Sequence, residues 1–158
     1  MRAHAVVPSP VGPLTVVADD GVLVRLYLEP PGPDADLGPL DATALAWVAG
    51  QLGGYFRGER QTFDLPLRPA GSAFELAVWA QLAAIPYGET RSYGQVARAV
   101  GEPGGAQAVG LACGRNPLAV VLPCHRVVGA DGGLVGFGGG LPRKRFLLDL
   151  EQRDTRLF

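Results

Sequence analysis

The sequence predicts an α+β fold in two parts, a sheet-bearing half followed by a mainly helical one. Three observations carry this: a two-strand pattern around Asp19-Asp20-Gly21, a proline-stiffened stretch at residues 64–69, and runs of helical spacing beyond residue 70. The boundary is placed near residue 70, giving a small α/β domain with its linker over 1–70 and a second domain over 71–158.

Leu14-Thr15-Val16-Val17-Ala18 and Val22-Leu23-Val24-Arg25-Leu26-Tyr27-Leu28 read as strands joined by an Asp-Gly hairpin turn. Pro30-Pro31-Gly32-Pro33-Asp34 can continue neither strand nor helix. Asp41 then caps a helix with Leu45, Val48, Ala49 and Leu52 on one face, ended by Gly53-Gly54. Asp64-Leu65-Pro66-Leu67-Arg68-Pro69 is extended and serves as the bridge between domains.

Two capping-box candidates open the second half, Ser72 with Glu75 and Ser92 with Gln95. The first helix carries Phe74, Ala77, Val78, Leu82 and Ile85 and stops at Pro86-Tyr87-Gly88; the second carries Val96, Ala97 and Val100 and stops at Gly101. A third, small-residue helix runs from Ala106 to Cys113 after a short Gly/Pro turn, the arrangement of a helix-turn-helix. On pattern alone, two short helices are far more often plain packing than a DNA-binding element.

Ala119-Val120-Val121-Leu122 reads as a buried strand leading into Pro123-Cys124-His125-Arg126. A thiol beside an imidazole is either an activated nucleophile or an inert buried cysteine followed by an unrelated histidine. Successive strand side chains point to opposite faces, so activation there needs a bridging water or a local kink. Beyond it, six glycines in nine positions surround Phe137. The spacing does not fit a dinucleotide loop, which leaves a backbone wall against a flat ligand or a surface loop. The last helix starts at Pro142 with Arg143-Lys144-Arg145 in its first turn, where cations oppose the helix dipole unless anions approach. Glu151 shares the face of Leu147 and Leu148; it either finds an inward partner, with His125 the candidate, or frays into solvent.

At 158 residues, 47% hydrophobic and 18% charged, the chain is globular. Cys113 and Cys124 are too few for a disulfide framework, and no charged-then-apolar leader opens the sequence, so a reducing cytoplasm is expected. No apolar run approaches a membrane span. Residues 1–70 hold five arginines and eight acids, net -3, whereas 71–158 hold nine Lys or Arg and seven acids, net +2, which permits a local polyanion site.

Several segments taken together resemble the O6-alkylguanine-DNA alkyltransferases, or methylated-DNA-protein-cysteine methyltransferases. They are Ser9-Pro10-Val11-Gly12-Pro13-Leu14, Tyr55-Phe56-Arg57-Gly58, Ile85-Pro86-Tyr87-Gly88-Glu89-Thr90-Arg91-Ser92-Tyr93, Arg115-Asn116-Pro117, Pro123-Cys124-His125-Arg126-Val127-Val128, and the glycine loop leading to Arg143-Lys144. The resemblance implies a ribonuclease-H-like first domain and a winged helix-turn-helix-like catalytic domain. It implies that Cys124 takes the alkyl group from O6-alkylguanine in double-stranded DNA once and irreversibly, with no cofactor. Glu151 orients His125, His125 deprotonates Cys124 through water, Asn116 braces the turn, and Tyr93 donates to the departing purine. Val127, Phe137, Gly138 and Gly139 form the base pocket. Ser92, Ala106, Gln107, Ala108, Gly110, Arg115, Arg126 and Lys144 meet DNA, and the base is flipped out of the duplex.

Three departures stand out: Gln107 replaces the family's usual arginine, Phe137 stands for a common tyrosine, and Gly138 lacks a serine side chain. The zinc that some relatives hold in the first domain cannot be built here, since residues 1–70 contain no Cys and only His4, so no metal is expected. A monomer is expected. The competing functions are a non-enzymatic lesion binder of the alkyltransferase-like kind and an unrelated cysteine hydrolase.

Overall fold

The computed structural model describes residues 1–133, 137 and 139–156. The chain divides into two compact units, Met1–Pro69 and Ala70–Phe158.

In the first unit, β1 (Arg2–Val7), β2 (Leu14–Asp19) and β3 (Val22–Tyr27) form an antiparallel sheet in that order. Asp19 faces Val22, so Asp20 and Gly21 alone make the turn, with φ of 52° and 81°. Both lie in the left-handed region that a type I′ hairpin demands and that Asp and Gly tolerate best. In the central strand β2, Leu14 to Ala18 are all buried. Both sheet edges are covered. On β1, His4 N donates to Pro39 O and His4 O accepts from Asp41 N; on β3, Leu23 N donates to Pro66 O and Leu23 O accepts from Arg68 N at 3.0 Å. The proline stretch 64–69 is therefore extended, as its composition suggests, and pinned to the edge of this unit.

The helix of this unit, α1 (Ala46–Phe56), starts later and ends later than the sequence predicts. Asp41 closes a turn by accepting from Ala44 N at 3.1 Å, and no side chain caps the helix. The helix runs through Gly53-Gly54 because Leu52 and Tyr55 are fully buried one turn apart. That burial outweighs the ~1 kcal/mol that each glycine costs.

In the second unit, α2 (Ala73–Ala83) and α3 (Tyr93–Ala99) both begin with complete capping boxes, on Ser72 with Glu75 and on Ser92 with Gln95. The buried face of α2 is Val78, Trp79 and Leu82; Ala77 is exposed. Trp79 Nε1 donates to Ala112 O at 2.9 Å, tying α2 to α4 (Ala106–Gly114), which packs against α3. Gly71 must be glycine, since a methyl there would lie 2.5 Å from the Trp79 ring.

The segment 119–122 is buried as expected but is not a strand. Asn116 Nδ2 donates to Leu122 O at 2.7 Å and Asn116 Oδ1 accepts from Leu118 N at 2.9 Å, while Leu122 N bonds back to Leu118 O. These bonds replace a ladder and fold the run into a turn, with Val120 at φ 74°. A β-branched residue in that region costs about 1–3 kcal/mol, which the surrounding bonds must offset. Cys124–Arg126 then form a 3₁₀ turn, and β5 (Val127–Val128) pairs in parallel with β4 (Arg91–Ser92). The last helix, α5 (Leu141–Arg156), closes the unit.

Candidate active site

A 3₁₀ turn advances about 120° per residue, so Cys124 and His125 no longer point to opposite faces as they would on a strand. Both are buried. His125 Nε2 lies 2.7 Å from Glu151 Oε2. Arg126 grips the same carboxylate, Nε to Oε1 at 2.8 Å and Nη2 to Oε2 at 3.0 Å, and its Nη1 donates to Ile85 O. Burial alone would raise the Glu151 pKa, but the hydrogen bonds from His125 and Arg126 and the Arg126 charge prevail and hold it at about 2.

That assignment fixes the imidazole. An ionised carboxylate only accepts, so Nε2 carries the hydrogen. Burial lowers the His125 pKa against the pull of Glu151, which keeps the ring neutral. Its basic lone pair is then on Nδ1, which is buried and has no hydrogen-bond partner among the described residues. Next to it in sequence, burial raises the Cys124 thiol, opposed by the Asn116 side chain and the Lys144 charge. At rest the sulfur is a thiol, with the Asn116 side chain and the Lys144 cation favouring its ionised form.

Around this centre, Tyr93 opens α3 half-buried, and burial followed by the charges of Cys113 and Cys124 pushes its hydroxyl up to about 12. Lys144 is fully buried, with Nζ 2.6 Å from Val127 O and 3.4 Å from Tyr93 Oη. Cys113, absent from the sequence-based site, has its thiol pushed up to about 12 by burial and then by Cys124, so it stays protonated and does not compete as a nucleophile.

The structure separates the predicted DNA-contacting residues. Gln107, Ala108 and Arg115 are exposed on or beside α4, with Arg115 Nη1 3.7 Å from Glu75 Oε2. Ala106 and Gly110 are half-buried, and Ser92 serves as the α3 cap. Arg126 and Lys144 are both buried, with Arg126 paired to Glu151 and Lys144 contacting Val127 and Tyr93. The basic run in α5 is thus not a patch. Lys144 turns inward, Arg143 donates to Gly139 O at 3.0 Å, and only Arg145 is exposed. Of the pocket residues, Val127 and Gly139 are buried, Phe137 is half-buried, and Gly138 lies outside the described residues. Among the described residues no group of His, Cys, Asp and Glu could hold a metal, and no helix is long and apolar enough to cross a membrane.

A buried thiol beside a histidine paired to a carboxylate is a site for chemistry at sulfur, and comparison with known proteins gives its class. Residues 3–69 match the ribonuclease-like domain of 6-O-methylguanine DNA methyltransferase, and residues 73–153 match its DNA binding domain. The chain belongs to that family. It is 49% identical over 157 residues to the methylated-DNA–protein-cysteine methyltransferase of Mycolicibacterium paratuberculosis, covering 98% of this chain and 95% of that protein. The crystal structure of Mycobacterium tuberculosis O6-methylguanine methyltransferase superposes with a TM-score of 0.91 at 46% identity, covering 98% of this chain and 94% of the other. The OGT protein of Mycobacterium tuberculosis in complex with DNA gives a TM-score of 0.91 at 46% identity, over 96% of this chain and 94% of the other.

Proposed function

We propose that this protein repairs DNA by moving the alkyl group of O6-alkylguanine in a duplex onto Cys124, each molecule acting once. The observation that carries the reading is the buried Glu151–His125 pair at 2.7 Å, which leaves Nδ1 of the residue beside the thiol as a base. The Cys124 proton passes through a water to Nδ1, and Glu151 stabilises the imidazolium that forms. Sulfur attacks the alkyl carbon, the carbon–O6 bond breaks, and its electron pair leaves with the purine. The Tyr93 hydroxyl donates to the purine as charge develops on it.

Because the thioether cannot regenerate the thiol without a further acceptor, the reaction is stoichiometric. The exposed face of α4 carries Gln107 and Ala108 and presents the site to DNA, while Phe137 and Gly139 wall the extruded base. The two free cysteines suit a reducing cytoplasmic setting.

Incubation with duplex DNA containing O6-methylguanine is expected to add one methyl mass to the peptide bearing Cys124, and Cys124→Ala to abolish transfer while retaining lesion affinity. Tight lesion binding by the reduced wild type with no methylated peptide would instead assign a non-enzymatic binder.

A further inference from the structure

The helix α4 is tied down on one side and bare on the other. Val109 and Ala112 are buried, and Ala112 O accepts from Trp79 Nε1 at 2.9 Å, which fixes the inward face against α2. Gln107, Ala108, Leu111, Gly114 and Arg115 are exposed. Leu111 is 60% exposed, the most of any large apolar side chain among the described residues of the second unit; Leu76 and Leu141 follow at 42% and 44%. One exposed leucine needs no explanation by itself. This one projects from the second helix of a helix-turn-helix pair inside the DNA binding domain. Beside it Gly114 is not forced by packing, since a methyl there would meet nothing within 4 Å. The leucine therefore stands clear of its surroundings.

Between Ala106 and Gly114 the helix carries no charged residue, so it gains nothing from phosphates, and only Gln107 has an amide to read base edges. What Leu111 offers a duplex is apolar volume. Side chains of this kind enter from the minor groove between base steps and partly unstack them, most cheaply at flexible pyrimidine–purine steps. Four residues carry a helix about 6 Å along its axis and about 40° past one turn, and stacked pairs are about 3.4 Å apart. With α4 along the groove and Gln107 at the extruded guanine, Leu111 meets a step about two pairs away.

We propose that Leu111 is a positioning and specificity residue for alkyl transfer. It enters the stack beside the lesion, loosens the duplex there, and so makes the flanking step part of what the protein selects. Leu111 touches neither the alkyl carbon nor sulfur; it works through the DNA. The inference rests on the reading of α4 as the DNA-facing helix given above.

The test compares wild type, Leu111→Ala and Leu111→Met in single-turnover methylation of Cys124, with O6-methylguanine in a duplex and in the single strand alone. Alanine has the higher helix propensity and the site is exposed, so Leu111→Ala keeps α4. Leu111→Ala is expected to lower the ratio of duplex to single-strand rates at least about fivefold, and Leu111→Met to hold it within about twofold of wild type. Duplexes with a TA step about two pairs to one side of the lesion should react faster than those with a GG step, and Leu111→Ala should erase the difference. An unchanged ratio in Leu111→Ala, or a step preference that survives it, overturns the inference. So does self-association of the free protein that Leu111→Ala abolishes, which would make the leucine a contact between copies. A fluorescent aminopurine at the same step should brighten on binding wild type and stay dim with Leu111→Ala. That reading needs no transfer, so it decides the role of Leu111 even if wild type leaves Cys124 unmethylated, an outcome that would overturn the alkyl-transfer reading itself.

Discussion

Glu151 accepts hydrogen bonds from both His125 and Arg126, and the histidine's protonation pattern depends on its being charged. Glu151→Gln swaps one acceptor oxygen for a donor facing Arg126 or His125, leaving the buried guanidinium uncompensated. A stability loss of about 3–5 kcal/mol is expected in urea denaturation, with slower alkyl transfer. The pH dependence follows from the same pair. Both groups are held below their ordinary values, so the unfolded chain binds more protons as pH falls, and stability present above the unfolded pKa is lost on acidification. His125 contributes this loss from its ordinary value of 6.5 downward. Glu151 adds roughly 3 kcal/mol between 4.5 and about 2, a span that Glu151→Gln should flatten in acid titrations monitored by circular dichroism. The Glu151–His125 pairing was one of two readings open in the sequence, and the same arithmetic could have reached Lys144. Positions 144, 147, 148 and 151 form one helical stripe, so the lysine is inward for the reason the glutamate is. Arg126 had no such signal, because its partners are 25 and 41 residues away in the chain.

At the scale of elements, local chemistry was legible wherever it closes locally. Both capping boxes and the Asp-Gly hairpin formed as written, because each needs only residues within four positions. What failed were elements decided by distant contacts: the late start of α1, its passage through two glycines to keep Tyr55 buried, and the turn that Asn116 imposes on an apolar run. The exposed face of α4 is uncharged, with Gln107 and Ala108 followed one turn on by Leu111, itself 60% exposed. Such a face has little with which to stack on the base opposite an extruded guanine. Gln107→Arg, by adding a planar cation, is expected to speed duplex repair by roughly fivefold, about 1 kcal/mol of stacking. Reaction with free O6-benzylguanine, which needs no flipping, should change little. Equal acceleration of both substrates, measured side by side, would remove Gln107 from that role.

For the molecule as a whole, net charge hides how few cations are placed to meet a phosphate. The second unit carries the positive excess, but Arg126 and Lys144 are consumed internally and Arg143 leans on Gly139 O. Among its described side chains, the exposed cations are Arg98, Arg115, Arg145 and Arg153. Each phosphate neutralised releases counterions and adds about -0.9 to the slope of log affinity against log salt for duplex DNA. These four arginines engaged together give a slope of about -4, and any that face away from DNA make it shallower. Fluorescence anisotropy with undamaged duplex across a salt series is expected to give a slope between about -1 and -4. The buried pair makes the sharper prediction: Lys144→Met should leave that slope unchanged, whereas Arg115→Ala should make it shallower by close to 1. If Lys144→Met shifts the slope as Arg115→Ala does, the lysine reaches phosphate in the complex and its inward assignment fails.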